Sequence, residues 1–426
     1  MIEIARMPLR PVPLALLATM LLVGCADSPS GSQPDRRTLA IQAGDAQQAW
    51  AGSAVPVDPT VVITDGAGNG VAGVTVTFRV ESGAGWTRDG SSVTDAGGRA
   101  TTWWLLGPEP MTPQRLRAAT ADGAFVDFNA TALAPVPGST RTGRNGYIEF
   151  IAGSLPVIVT APHGGSLVPA EIPDRTVGTS TRDTNTEELV RTIRQAFSDR
   201  VGAAPSIVIN RLRRSKLDAN REIVEAANGN EHAERAWYEW HAFIEAAKRV
   251  ASDAGPDGSA LYLDIHGHGH TIPRIEIGYL LGPADLALQD EALGQPSIIA
   301  KSSIRALAND NGQRFVELVR GPTSLGELLA RRGYPAVPSV ADPSPGADPY
   351  FTGGYNTVRH GSRDGGSVSA IQLELNYPGI RDTETSRQQF AAMLAAAVEE
   401  WFVSHLDTGL PWPAGGQTSS PSASRR

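Results

Sequence analysis

Residues 260–272, ALYLDIHGHGHTI, form an apolar run that stops at Asp264 and His266, with His268 and His270 following between glycines. Three of the chain's eight histidines therefore fall close together, at the point where a buried strand would end. Strand side chains alternate with period 2, so Asp264 and His266 share one side. Ligands bind at the carboxyl ends of strands in open α/β sheets, and neutral imidazole is the commonest metal-binding side chain. A single histidine is more often a surface or packed residue, but a cluster shifts the balance toward a ligand. His163 supplies a second strand-end imidazole. It closes the apolar run LPVIVTAP and precedes Gly164 and Gly165, whose missing Cβ atoms allow close approach.

A catalytic zinc takes three protein ligands, commonly two His and one carboxylate, and keeps one position for water. The segment RDTNTEEL, 182–189, offers Asp183 in a loop and Glu187 in the first turn of a helix. Asp183 is free to turn toward an ion, whereas an acid at a helix N-terminus is already accounted for. Asp183 is thus the expected third ligand and Glu187 the alternative. Asp264 is expected to orient His266, a support that most ligating histidines have. In IQLELN, 371–376, Gln372 and Glu374 share one face of an otherwise apolar strand. A buried carboxylate is costly without a partner or a task, and the task expected of Glu374 is that of general base. Asn220 and Arg221 follow a basic stretch, 211–216. A guanidinium fork suits a carboxylate, so a substrate with a free carboxylate is expected at Arg221. Arg211, Arg213, Arg214 and Lys216 read mostly as solvated charge.

The elements that must hold these residues alternate. Leu189, Ile193 and Phe197 have helical spacing, SIVIN is a strand, 231–255 is a long amphipathic helix, and 386–406 is a closing helix. Strand and helix in alternation predict an α/β domain whose mostly parallel sheet is covered by helices on both faces. The stretch 281–340 has no clear type. Upstream, 39–133 reads as short alternating strands separated by Asp-Gly and Asn-Gly turns, which predicts an all-β sandwich. It holds no catalytic cluster. Of Trp103 and Trp104, one is expected in its core and the other at an edge. The expected divisions are a leader at 1–24, a tether at 25–38, the sandwich at 39–133, a linker at 134–146, the catalytic domain at 147–407 and a tail at 408–426.

A net charge of −8 gives no electrostatic case for nucleic acid. Arg6 and Arg10 precede an apolar segment, 14–23, that is long enough for a signal peptide and too short to span a bilayer. It runs into Cys25, the sole cysteine, in a pattern that resembles the lipobox of bacterial lipoproteins. Lipidation of Cys25 is the expectation. It places the protein in the bacterial cell envelope, held by lipid to the outer membrane and facing the periplasm or the cell surface, since Ala26 and not Asp follows. One cysteine permits no internal disulfide.

The sandwich resembles the bacterial immunoglobulin-like domains of intimin- and invasin-type proteins, on VVITDGAGNGVAGVTVTF and TDAGGRATTWWLLG. The later part resembles the N-formylglutamate amidohydrolase family of zinc carboxypeptidase-like hydrolases. The motifs are APHGG (161–165), RDTNTEEL (182–189), KLDANR (216–221), LDIHGHG (263–269), DPYFTGGYNTVRHG (348–361) and IQLELN (371–376). That resemblance implies one zinc on His163, Asp183 and His266, Glu374 as catalytic carboxylate, and Arg221 on a substrate carboxylate. Asn220, Tyr355 and His268 are further candidate substrate contacts, as is His360. The His-x-x-Glu pair of carboxypeptidases is absent, because Ser166 stands three residues after His163. The expectation is a membrane-anchored amidohydrolase acting on an N-acyl amino acid or peptide. The alternative is a surface adhesion lipoprotein with a degenerate hydrolase domain, making envelope contacts through its immunoglobulin-like module. An esterase using Ser166 lacks the Gly-x-Ser-x-Gly elbow.

Overall fold

The computed structural model describes residues 37–88 and 90–410. The expected leader, Cys25, most of the tether and the tail beyond 410 lie outside the described residues. Among the described residues no helix is long and apolar enough to cross a membrane.

The N-terminal unit is a β-sandwich. One sheet has three strands, Thr38–Ala43, Thr60–Thr64 and Arg99–Thr101; a second has five, ordered Gln47–Trp50, Phe125–Leu133, Pro113–Thr120, Thr75–Ser82 and Ser91–Val93; and Trp86–Thr87 pairs with Trp104–Leu105 as a short two-stranded ribbon. Alternation puts Val76 and Phe78 inward against Leu116, Phe128 and Trp104. Trp103 stands outside this core, with the guanidinium groups of Arg88 and Arg235 at 5.0 and 4.8 Å from its ring centroid.

The second unit is α/β. Its strands are β1 (Thr140–Thr142), β2 (Ile148–Ile151), β3 (Val157–Ala161), β4 (Ser206–Asn210), β5 (Ala260–Gly267), β6 (Ile275–Gly278), β7 (Ala336–Val337) and β8 (Val368–Leu375). They form one mixed, mostly parallel sheet of eight strands in the order β1-β2-β4-β3-β5-β8-β6-β7. The central four, β4, β3, β5 and β8, run parallel. β1 lies within the stretch expected to be linker and pairs antiparallel with β2 at the sheet edge. The untyped stretch 281–340 is a series of short helices ending in β7.

Period 2 sorts the sheet's side chains between two cores. Val157, Val159, Leu261, Leu263, Ile371 and Leu373 pack with helices α1 (Thr186–Val201) and α3 (Glu384–Leu406). Ile158, Tyr262 and Ala370 pack on the other face with Trp237, Trp240 and Phe243 of α2 (Glu231–Ala254). Thr160, Asp264, His266, Gln372 and Glu374 continue the α2 face toward the carboxyl ends of β3, β5 and β8, where apolar residues give way to polar ones.

The two units meet along α2. Gly52, at φ 73°, lies so close that a Cβ there would sit 2.4 Å from the Ala242 carbonyl oxygen. Trp86 stacks on Tyr238, and Asp58 pairs with Arg144 at 2.5 Å and Arg235 at 3.3 Å.

Candidate metal centre

His163 stands just past β3 on a turn that has no room for larger residues. A Cβ on Gly164 would lie 2.4 Å from the Glu187 nitrogen, and one on Gly165 2.2 Å from the Arg211 carbonyl carbon. The turn is thereby pressed between the start of α1 and the end of β4. The loop before α1 is tied to it by the Asp183 N–H, which donates to the His163 carbonyl at 3.1 Å. β5 and β8 run in register, which puts His266 beside Glu374, and β6 adds Glu276 on the far side of Glu374.

The result is a buried group of His163, Asp183 and His266 whose ligand atoms all lie within 4.8 Å of one another. Each imidazole commits Nε2 to a carboxylate, His163 to Asp218 at 2.7 Å and His266 to Asp264 at 2.9 Å. Each Nδ1 then faces the same atom, Asp183 Oδ2, at 3.3 Å. A carboxylate behind each ring fixes tautomer and orientation and raises basicity at the free nitrogen. Two imidazole nitrogens and one carboxylate oxygen converging on a point is a donor set that fits a zinc-type ion. The Gly267 N–H at 3.1 Å and Arg214 at 3.6 Å hold Asp183 from outside.

The electrostatics ask for positive charge at that point. Burial would push the Asp183 carboxyl up, but His163 and His266 hold it well below the usual carboxylate range. Against burial, Asp218 is held low by His163 and Arg214, and Asp264 by His266 and Thr160. His266 is driven well above its ordinary value: burial opposes this, but Asp264, Asp183 and Glu374 prevail. Glu374 is the exception among the carboxyls. Burial pushes it up to about 7, with Asp183 and Glu276 adding to the rise and His266 opposing it. Its Oε1 lies 3.8 Å from His266 Nδ1 and accepts from Gln372 at 2.9 Å.

Other residues singled out by sequence lie at varying distance. Glu187 is engaged by Arg191 at 3.0 Å and is outside the group. Asn220 reaches His266 Nε2 at 3.4 Å and accepts from the Asn356 N–H. Arg221 is half-exposed, bonded to the Asn220 carbonyl at 2.8 Å and to Glu225 at 3.3 Å. Tyr355 bonds Glu222 and Arg359. His360 is buried in a separate row, with Glu245 on one nitrogen and His241 on the other. His268, His270 and Glu276 form a second gathering within 4.8 Å. There His268 already uses one nitrogen on the Arg274 carbonyl and the other on the His270 N–H.

Sequence reasoning missed Asp218 and treated Arg214 as solvated. Arg214 is nearly buried and donates to Asp218 at 2.9 Å. The available signal was the apolar flanks of Asp218, Leu217 and Ala219, both fully buried.

No family model matches the chain, and no curated protein matches it. Solved structures give partial matches. The D00-D0 domain of intimin is 25% identical, covering 24% of this chain and 50% of that one, with a TM-score of 0.18. The adhesin InvE of Yersinia pseudotuberculosis is 21% identical, covering 29% and 41%, with a TM-score of 0.20. Domains 4 and 5 of the S-layer protein SbsC are 16% identical, covering 23% and 51%, with a TM-score of 0.18. This chain thus spans about half or less of the length of those solved chains.

Proposed function

We propose that the chain is a zinc-dependent amidohydrolase of the N-formylglutamate amidohydrolase kind, with a carboxypeptidase-like arrangement, cleaving an amide bond near a free carboxylate in an N-acyl amino acid or peptide. The observation that carries this is the pair of imidazoles, each backed by a carboxylate, that aim their Nδ1 atoms at one oxygen of Asp183 beside the raised carboxyl of Glu374. A zinc ion at that point supplies Lewis acidity to polarise a carbonyl and acidify water.

The chain's own residues do the rest. Asp218 and Asp264 keep both rings in the tautomer that leaves Nδ1 bare. Glu374, buried with its Oε1 3.8 Å from His266 Nδ1, is placed to take a proton from the attacking water and pass it to the leaving nitrogen. Arg221 is the residue for the substrate carboxylate. Its exposed pairing with Glu225, four residues on, is of a weak kind that a substrate carboxylate can replace. Asn220 and Tyr355 are the further contacts proposed; His268, with both ring nitrogens engaged by Arg274 and His270, is left out. The address belongs to the same proposal: a lipid on Cys25 holds the enzyme to the bacterial envelope, where peptides and acylated amino acids are at hand, and the sandwich works as spacer or contact module.

The test is Glu374→Gln, assayed on a panel of N-acyl amino acids and envelope peptides with zinc content measured in parallel. Turnover is expected to fall by about 10²- to 10⁴-fold with zinc retained. Unchanged turnover removes Glu374 as base.

A further inference from the structure

Arg381 carries a charge yet is only 3% exposed, and nothing above uses it. It closes the turn Tyr377–Arg381 that leaves β8. Its guanidinium is spread over three main-chain carbonyls. Nε donates to Leu375 at 3.1 Å, Nη1 to Thr184 at 2.5 Å and Nη2 to His268 at 3.4 Å. Leu375 follows Glu374, Thr184 follows Asp183, and His268 comes two residues after His266. One side chain therefore ties together the three segments that present a ligand carboxylate, a ligand imidazole and the proposed base.

The space for it is kept by Gly267. A Cβ there would lie 2.3 Å from Arg381 Cζ. The backbone of Arg381 is fastened as well, since its carbonyl accepts from Asn185 at 2.7 Å and from Arg387 at 3.1 Å, joining the starts of α1 and α3. Burial disfavours its charge, and the carboxylates of Asp183 and Glu374 oppose that loss.

We propose that Arg381 is a positioning residue, setting the separation of Asp183, His266 and Glu374 by holding the carbonyls beside them. This rests on the metal reading above. The three bonds leave from three different nitrogens of a planar, rigid fork, whereas the three donors of lysine radiate from one nitrogen and cannot reproduce that spread. Removing the fork leaves buried carbonyls without donors, and the three segments are then free to part.

The experiment measures zinc affinity of the full chain by competition with a chromogenic chelator, with circular dichroism as the check on folding. Arg381→Ala and Arg381→Lys are each expected to bind zinc about 10- to 100-fold more weakly, the range for lost support behind a ligand set. Added guanidinium ion is expected to restore part of the affinity of Arg381→Ala and none of that of Arg381→Lys, a rescue that general destabilisation does not produce. Affinities within about twofold of wild type overturn the proposal, as does loss without rescue. Should Arg381→Ala fail to fold, Gly267→Ala decides: it keeps the arginine but displaces its guanidinium, and unchanged zinc affinity there overturns the proposal. Wild type that binds no zinc removes the metal reading and this inference together; wild type that binds zinc beside indifferent variants removes this inference alone.

Discussion

Each imidazole of the cluster has two nitrogens, and the use of one decides what the other can do. Asp218 and Asp264 take the Nε2 atoms, so the Nδ1 atoms are left to converge on Asp183. Neither aspartate belongs to the group that would touch an ion, yet both set its donor atoms. Asp218→Asn keeps the shape and removes the charge, and the amide can present its NH2 to the ring and reverse the tautomer. The expected outcome is zinc affinity lower by about 10- to 100-fold, read by chelator competition. Affinity equal to wild type contradicts the role given to Asp218. At this scale the sequence was legible where a strand ended in a histidine, as at His163 and His266, and where a carboxylate interrupted an apolar strand, as at Glu374. It was illegible at Asp218, whose partner is 55 residues away and which sits in a loop without periodicity.

The elements deliver these side chains through register and close approach. β3, β5 and β8 lie side by side in parallel, so polar residues at three strand ends, far apart in sequence, form one patch. Asp183 comes from a loop, and what brings it in is the narrow turn after β3. Gly165→Ala tests that fit. The added carbon meets backbone of β4's exit, 2.2 Å from the Arg211 carbonyl carbon and 2.3 Å from its oxygen, so neither a rotamer change nor a flexible tip can relieve it. A loss of about 1–3 kcal/mol in denaturant unfolding is expected, the cost of overpacking; a neutral result means that the turn yields. The order of strands and helices was readable from periodicity, as with Leu189, Ile193 and Phe197, all buried on one side of α1. β1 was not, because Thr140–Thr142 lies in a stretch of Pro, Gly, Ser and Thr, and its pairing with β2 is a tertiary event that composition does not carry.

In the whole molecule, the sandwich and the α/β unit share a charged seam along α2. Asp58 of the sandwich meets Arg235 and Arg144, and Glu239 sits behind them, accepting the Arg144 N–H at 3.0 Å on both oxygens. Burial raises the Glu239 carboxyl from 4.5 to about 7, against the pull of Arg144 and Arg235. A folded value above the unfolded one means that the fold binds the proton more tightly. Stability from this group is therefore present below about pH 4.5 and lost as pH rises through 7, a change on the order of 3 kcal/mol. Glu239→Gln is expected to make the melting temperature less dependent on pH across that window, measured by calorimetry; an unaltered slope contradicts it. The most direct test of the central claim is the zinc content of the purified full chain by mass spectrometry. One ion per wild-type chain, and none in His163→Ala or His266→Ala with folding intact, is the predicted result. Wild type without stoichiometric metal, or alanine variants that keep it, would contradict the account.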